Sequence, residues 1–186
     1  MKKALLIAAA VMFVASSAFA QVRPPVGYIG IYADVTHLAN STCPTPFVGF
    51  PAWIMCLPSV NGLQAAEFAM NLPAGLVIQL AAVKNPGITV ELGSLAAGIS
   101  VAFGEGLCQT DWVYIYQLSL MTFGATPQKV DIIPHPGTLP LPAIQFASCL
   151  LGYPIEPCTY LTPLYLCQAG PLGVQETNWG AIKSLF

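Results

Sequence analysis

The chain has 186 residues, of which 8% are charged and 55% hydrophobic, and its formal net charge at neutral pH is −2. A soluble domain ordinarily carries about 25% charged residues, so this surface must be built from hydroxyls, amides, backbone and apolar atoms, and it either meets a partner or tolerates apolar patches. Beyond Lys2 and Lys3 the basic residues are Arg23, Lys84, Lys129 and Lys183; they are too scattered to form a patch for nucleic acid or an anionic membrane surface.

Residues 1–20, "MKKALLIAAAVMFVASSAFA", combine a basic start, an apolar run and a terminal Ala18-Phe19-Ala20. This is the pattern of a bacterial signal peptide and predicts export, with the mature chain starting at Gln21. The run is too short and wrongly flanked to span a bilayer, and no later segment offers about 18 uninterrupted apolar residues, so no transmembrane helix is expected. What remains is of single-domain size, large enough for a core.

From Gln21 to Leu150 two-residue alternation recurs and helical periodicity is nearly absent. "GYIGIYAD" sets Ile29 and Ile31 against Tyr28 and Tyr32. "FVGFPAWIMCL" is a strand broken by Pro51, which suits an edge or a bulge. "LQAAEFAMNL" sets Ala66, Phe68 and Met70 against Glu67, Ala69 and Asn71, and "GLVIQLAAVKN" follows the Pro73-Ala74-Gly75 turn. "GITVELG" alternates Ile88, Val90 and Leu92 with Thr89 and Glu91, and "GISVAFG" alternates Ile99, Val101 and Phe103 with Ser100 and Ala102. "CQTDWVYIYQLSLMTFG", "QKVDIIPHP" and "PAIQFASC" complete about nine short strands. Such spacing predicts an all-β, antiparallel β-sandwich over residues 21–150. Residues 151–172, rich in Pro and Cys, are expected to form an extended flap tied down by a disulfide.

One stretch bears on whether a ligand surface exists. Trp112, Tyr114, Tyr116, Leu118 and Leu120 share one parity. Burying each leucine is worth about 1.5–3 kcal/mol, and strict alternation then carries the three rings inward as core. A β-bulge near Tyr116 would instead turn rings outward, and with Trp53 they would make a stacking platform for a polysaccharide. Residues 173–186, "GVQETNWGAIKSLF", place Thr177 or Asn178 as an N-cap before Trp179, Ile182 and Phe186, which share a helical face. They predict a short C-terminal helix or a recognition tail for sorting or assembly.

The six cysteines, Cys43, Cys56, Cys108, Cys149, Cys158 and Cys167, read as a disulfide framework in an exported chain, with 15 pairings open. Sequence proximity favours Cys158 with Cys167 and Cys43 with Cys56, which leaves Cys108 with Cys149. Zinc spacing is absent.

Catalytic sets are thin. The two histidines, His37 and His135, sit in loops. No G-x-S-x-G elbow occurs. Glu105 and Asp111 flank Cys108 but suit solvated loop charges better than a glycosidase pair, and Asp34 and Asp131 are isolated, against a calcium site. No catalytic residue, metal or cofactor is expected.

The ordered set "GYIGIYADVTHLANSTC", "ITVELGSLAAGISVAFGEGLC", "VDIIPHP" and "ETNWGAIKSLF" resembles a family of uncharacterised secreted bacterial proteins. Members have an IGLYAD-like opening, a G-I-S-I-G-Y-G-x-C-L-like middle, a V-V-P-x-P segment and a T-T-W-G-x-I-K-x-L-Y-like tail. This chain departs from them at Phe103, where Tyr is usual, and at Phe186. The resemblance implies a cohesin-like or immunoglobulin-like sandwich and carries no activity. Cohesins bind dockerin modules, but fold analogy alone does not transfer that role.

The sequence therefore predicts an exported, non-catalytic β-sandwich acting in binding or assembly at the cell surface, with an envelope protein or polysaccharide as partner. The alternatives are a carbohydrate-binding module using Trp53, Trp112, Tyr114 or Tyr116, and a small outer-membrane barrel.

Overall fold

The computed structural model describes residues 25–138 and 142–168. Among them lie twelve strands and no helix. They are β1 (Gly27–Tyr32), β2 (Ser41–Thr42), β3 (Gly49–Leu57), β4 (Ala65–Asn71), β5 (Val77–Lys84), β6 (Ile88–Ser94), β7 (Gly98–Phe103), β8 (Val113–Thr122), β9 (Gln128–Ile133), β10 (Gln145–Ala147), β11 (Ile155–Thr162) and β12 (Leu164–Leu166). The expected signal peptide, residues 1–20, and the tail residues Trp179, Ile182 and Phe186 lie outside the described residues.

The strands form two layers. The first runs β5-β8-β3-β1-β11 and the second β6-β7-β4-β10. The C-terminal half of β4 leaves β7 and pairs with β9, which continues to β12 and β2. Strand β11 bridges the layers: Ile155–Pro157 pair with β10, and Cys158 onward runs parallel to β1. Residues 155–162 are thus an integral strand, which corrects the expected flap. Their alternation is masked by Pro157, tolerated because that stretch lies where the strand changes layer.

Between the layers sits one core, with Ile29, Ile31, Ile54, Leu118 and Leu120 from the first packed against Phe68, Ile99, Val101, Val130 and Ile132 from the second. The space is filled by side chains, and among the described residues β5, β6 and β2 end as edges. The architecture is a sandwich and not the barrel kept as an alternative.

Two bulges decide which side chains reach that core. In the β3–β8 ladder Ile54 faces Tyr116, but the next residue, Met55, faces Tyr114, leaving Ile115 unpaired. Val113 and Ile115 therefore point inward before the bulge, and Tyr116, Leu118 and Leu120 after it. The expectation that all three rings are core is corrected: Tyr116 is buried, whereas Trp112 and Tyr114 are half-buried on the outer face. The bulge gives up one ladder position and in return buries two aliphatic chains while keeping the polar ends of Trp112 and Tyr114 near water. In the β6–β7 ladder the shift falls between Ile88 and Val90. Ile88 is buried, but Val90 and Leu92 turn outward, and Glu91, exposed at the sheet edge, shares the side of its ladder partner Val101, against the single parity expected for this strand.

The structure holds two disulfides. Cys108–Cys149 follows the expected pairing, with Cα atoms 5.8 Å apart. The backbone places them: Leu63 bridges Gln109, and the Cys149 amide donates to the Asn61 carbonyl. Gly62 between them has φ +75°, and a Cβ there would lie 2.4 Å from the Cys108 sulfur.

The other bridge is Cys43–Cys167, with Cα atoms 4.2 Å apart. It corrects both sequence-local pairings. Ser41 and Thr42 run parallel to Tyr165 and Leu166, so the next residue of each strand is Cys43 or Cys167. Cys56 and Cys158 are free. Cys56 faces Ile29 and Cys158 faces Gly27, on opposite sides of β1. Two inter-strand spacings, about 9.5 Å, exceed the reach of a disulfide, about 7 Å. Burial pushes both thiols above their ordinary range, and the neighbouring Cys158 adds to the effect at Cys56.

Candidate docking face

The two outer faces of the sandwich differ in what covers them. On the first layer, the loop from Ala33 to Asn40 folds against the sheet. Asp34 organises it: Oδ1 accepts from the Thr36 amide at 2.7 Å and the Leu38 amide at 3.3 Å, and Oδ2 from the Ala39 amide at 2.6 Å. The Thr36 hydroxyl donates to the same carboxylate. Partial burial raises the carboxyl pKa, but these hydrogen bonds, the Thr36 side chain first, outweigh it and hold Asp34 below the ordinary carboxylate range.

The loop sets the His37 ring flat on Trp112, centroids 4.0 Å apart at 14°. Tyr32 meets both edge-on. Burial lowers the His37 pKa while Asp34 and Asp111 oppose the shift. Burial, with smaller effects from Cys56 and Asp34, pushes Tyr32 up to about 12. Among the expected stacking residues, then, Tyr116 is core, and Trp53, Trp112 and Tyr114 are half-buried on the outside, Trp112 with one ring face taken by His37. Trp53 and Tyr114 sit diagonally across the β3–β8 ladder, Trp53 opposite Gln117 and Tyr114 opposite Met55. The structure does not bring the four together as one stripe.

Among the described residues, the second layer is covered at its Glu67 end, where Thr138 reaches onto it, and is open toward β6 and Ile155. The ladder registers align two rows across its outer face. One is Val90, Ala102, Ala65, Ala147 and Ile155, and the other Leu92, Ser100, Glu67, Gln145 and Pro157, each read from β6 through β7, β4 and β10 to β11. Small residues occupy the middle and larger apolar ones the rims, making a shallow trough of about 280 Å³. Its rims are open to solvent, with Val90 47%, Leu92 65% and Ile155 61% exposed.

Glu67 is the one charged residue lining the trough. Its carboxylate accepts from the Ser100 hydroxyl at 2.6 Å and the Thr138 hydroxyl at 3.2 Å, which fixes the side chain across the floor. Each carboxylate oxygen retains a further lone pair for a donor.

The edges beside this face are guarded. Glu91, exposed at the β6 edge, meets the Tyr116 hydroxyl at 2.8 Å and Lys84 of β5 at 3.2 Å. The Tyr116 hydrogen bond first, then Lys84, hold the Glu91 carboxyl below its ordinary range against a desolvation effect, while burial and Glu91 push Tyr116 up. Charges on edge strands, with the Leu80 bulge in β5, are devices that block edge-to-edge pairing. Among the described residues no cluster of three or more His, Cys, Asp or Glu could hold a metal, and no helix is long and apolar enough to cross a membrane.

Sequence reasoning missed this face. Its residues are individually bland, and unbroken alternation puts Val90 and Leu92 on the same side as buried Ile88, whereas the β6 bulge turns them outward. Ser100 and Ala102 of β7 and Glu67 of β4 share the outer face, and only the pairing with β10 and β6 joins them into one surface.

No protein-family model matches the chain, and no curated protein matches it. Solved structures do. The sixth cohesin of scaffoldin B from Acetivibrio cellulolyticus, solved in complex with a mutant Cel5 dockerin, is 10% identical with a TM-score of 0.53, over 77% of this chain and 99% of that one. The cohesin module of a family 33 glycoside hydrolase from Clostridium perfringens is 9% identical with a TM-score of 0.55, over 76% and 96%. A type II cohesin domain from the cellulosome of Acetivibrio cellulolyticus gives 9% and 0.55, over 77% and 96%. The chain thus folds as a cohesin-like β-sandwich; at such identities the likeness speaks to fold alone.

Proposed function

We propose that this protein is an exported, non-catalytic binding module that takes a protein partner on the outer face of β6-β7-β4-β10. The observation that carries this reading is the apolar trough whose rims, Val90, Leu92 and Ile155, stand exposed among the described residues, in a sandwich whose other outer face carries a stacked loop over its aromatic surface. Scattered exposed apolar residues need no explanation, but a contiguous patch with a fixed polar group does.

Other observations agree. The likeness to a cohesin solved with a dockerin bound suits a protein partner. Two disulfides suit an oxidising compartment, as does the leader-like start, and placement at the cell surface belongs to this reading. So does the resemblance to secreted bacterial proteins with a shared tail.

The test is retention of envelope proteins on the immobilised full chain, compared with Leu92→Glu and Ala102→Arg in the trough and Val83→Glu on the opposite layer. The expected result is a specific partner lost from both trough variants and kept by Val83→Glu. A partner held equally by all four proteins would overturn the reading.

A further inference from the structure

We propose that the trough is also the docking site of the chain's own C-terminal residues 176–186, "ETNWGAIKSLF", bound in cis, so that a partner gains the face by displacing them. The inference rests on the reading of this face as a docking surface and names what regulates it.

The geometry allows the reach. Strand β12 ends with Leu166 opposite Gln128 of β9, in the layer that carries the trough. Asp131 of β9 pairs with Asn71 of β4, and Glu67 lies four residues back along β4. Leu166 therefore stands about 25 Å from Glu67 along the strand direction. Residues 167–175, which link Leu166 to the docked segment, can span about 30 Å when extended.

The chemistry matches in two respects. Trp179, Ile182 and Phe186 fall on one face at helical spacing, and Lys183, four residues after Trp179, falls on the same face. The trough offers an apolar floor and rims with one carboxylate, Glu67, and this segment offers three apolar anchors with one ammonium. The shapes also fit. The Val90 and Ile155 rims stand four inter-strand spacings apart, about 19 Å, and a helix with its side chains is about 10–12 Å wide. Ala102, Ala65 and Ala147 between the rims leave room for large side chains. Exposed Leu92 and Ile155 would lose contact with water when the segment is seated.

The experiment places a benzophenone amino acid at position 179 of the full chain and maps photo-crosslinks by mass spectrometry in dilute solution. Expected are crosslinks within one molecule to peptides containing Ala65–Glu67, Ser100–Ala102 or Gln145–Ala147. Leu92→Glu should lower their yield about tenfold, with unfolding of that variant monitored to confirm that the fold persists. Lys183→Glu should weaken them, and combining it with Glu67→Lys should restore them. Crosslinks to the Trp53 and Gln117 face, crosslinks only between two molecules, or no crosslink at all would each overturn the proposal. Should the crosslink be absent while trough variants still lose the partner, cis docking fails and the docking face stands. Should both fail, the face is no docking surface.

Discussion

The two outer faces of this sandwich are built from the same kind of strand and finished differently. On the first layer, loop 33–40 is bonded onto Asp34, sets His37 on Trp112 and so covers part of the aromatic surface. On the second, Val90, Leu92 and Ile155 stand in water around a floor of alanines. The lesson concerns where the chain spends local interactions. A loop ordered by several hydrogen bonds to one carboxylate closes one face, while the bulge in β6 turns two aliphatic side chains away from the core on the other. The aromatic rings are split between core, covered and outer positions, whereas the open aliphatic rims form one continuous surface, the one proposed for recognition.

The comparison can be broken first at the disulfides, since each staples one side. Cys43–Cys167 fastens the end of the covering loop to β12, and Cys108–Cys149 fastens the end of β10, which supplies Gln145 and Ala147 to the trough. Their sequence separations are 124 and 41. In chain-entropy terms their loss costs about 5 and about 4 kcal/mol. Double Cys→Ser variants followed by denaturant unfolding should show the larger loss for the Cys43–Cys167 pair. Increased Trp112 exposure should accompany that variant and be absent from the other.

Acid gives a smaller and more local effect. The Asp34 carboxyl ionises more readily in the folded chain than in the unfolded one. Its stabilisation is therefore full above the ordinary value of 3.8 and is lost as pH falls below it through the lower folded value. Asp34→Asn should cost about 1 kcal/mol from lost charged hydrogen bonds, reduced by the loop's exposure to solvent, and should flatten the acid limb of a stability-against-pH curve. Tryptophan emission in the parent should move toward that of exposed indole on the same limb. An unchanged acid limb in Asp34→Asn would remove the carboxylate from the account of the covered face.

The smallest effect on stability is expected at Leu92. At 65% exposure, Leu92→Glu should change the unfolding free energy by no more than about 0.5 kcal/mol. A loss well above that would mean that Leu92 packs within the fold and that this rim is not open.

Much of the fold was legible from residue patterns. The alternation of Ile29 and Ile31, of Ala66, Phe68 and Met70, and of Ile99, Val101 and Phe103 follows from the two-residue period of a half-buried strand, and short strands between Gly and Pro turns gave the layered class. The candidate site was not legible, because alternation assumes an unbroken register. One unpaired residue at Ile115 and the shift after Ile88 each reversed the faces downstream, and a bulge is set by the partner strand. The disulfide Cys43–Cys167 was hidden for a related reason: it depends on the parallel alignment of β2 and β12, whose residues are far apart in the chain.

The all-β class, the low-charge surface, the alternating apolar residues of the core and the supply of cysteines were all legible in the chain, because these follow from composition and local period. Only the tertiary structure decided which rings are buried, which cysteines meet and which face stays open. Those outcomes depend on ladder register between distant strands, and a one-residue shift in register changes the side of the sheet on which every following side chain lies.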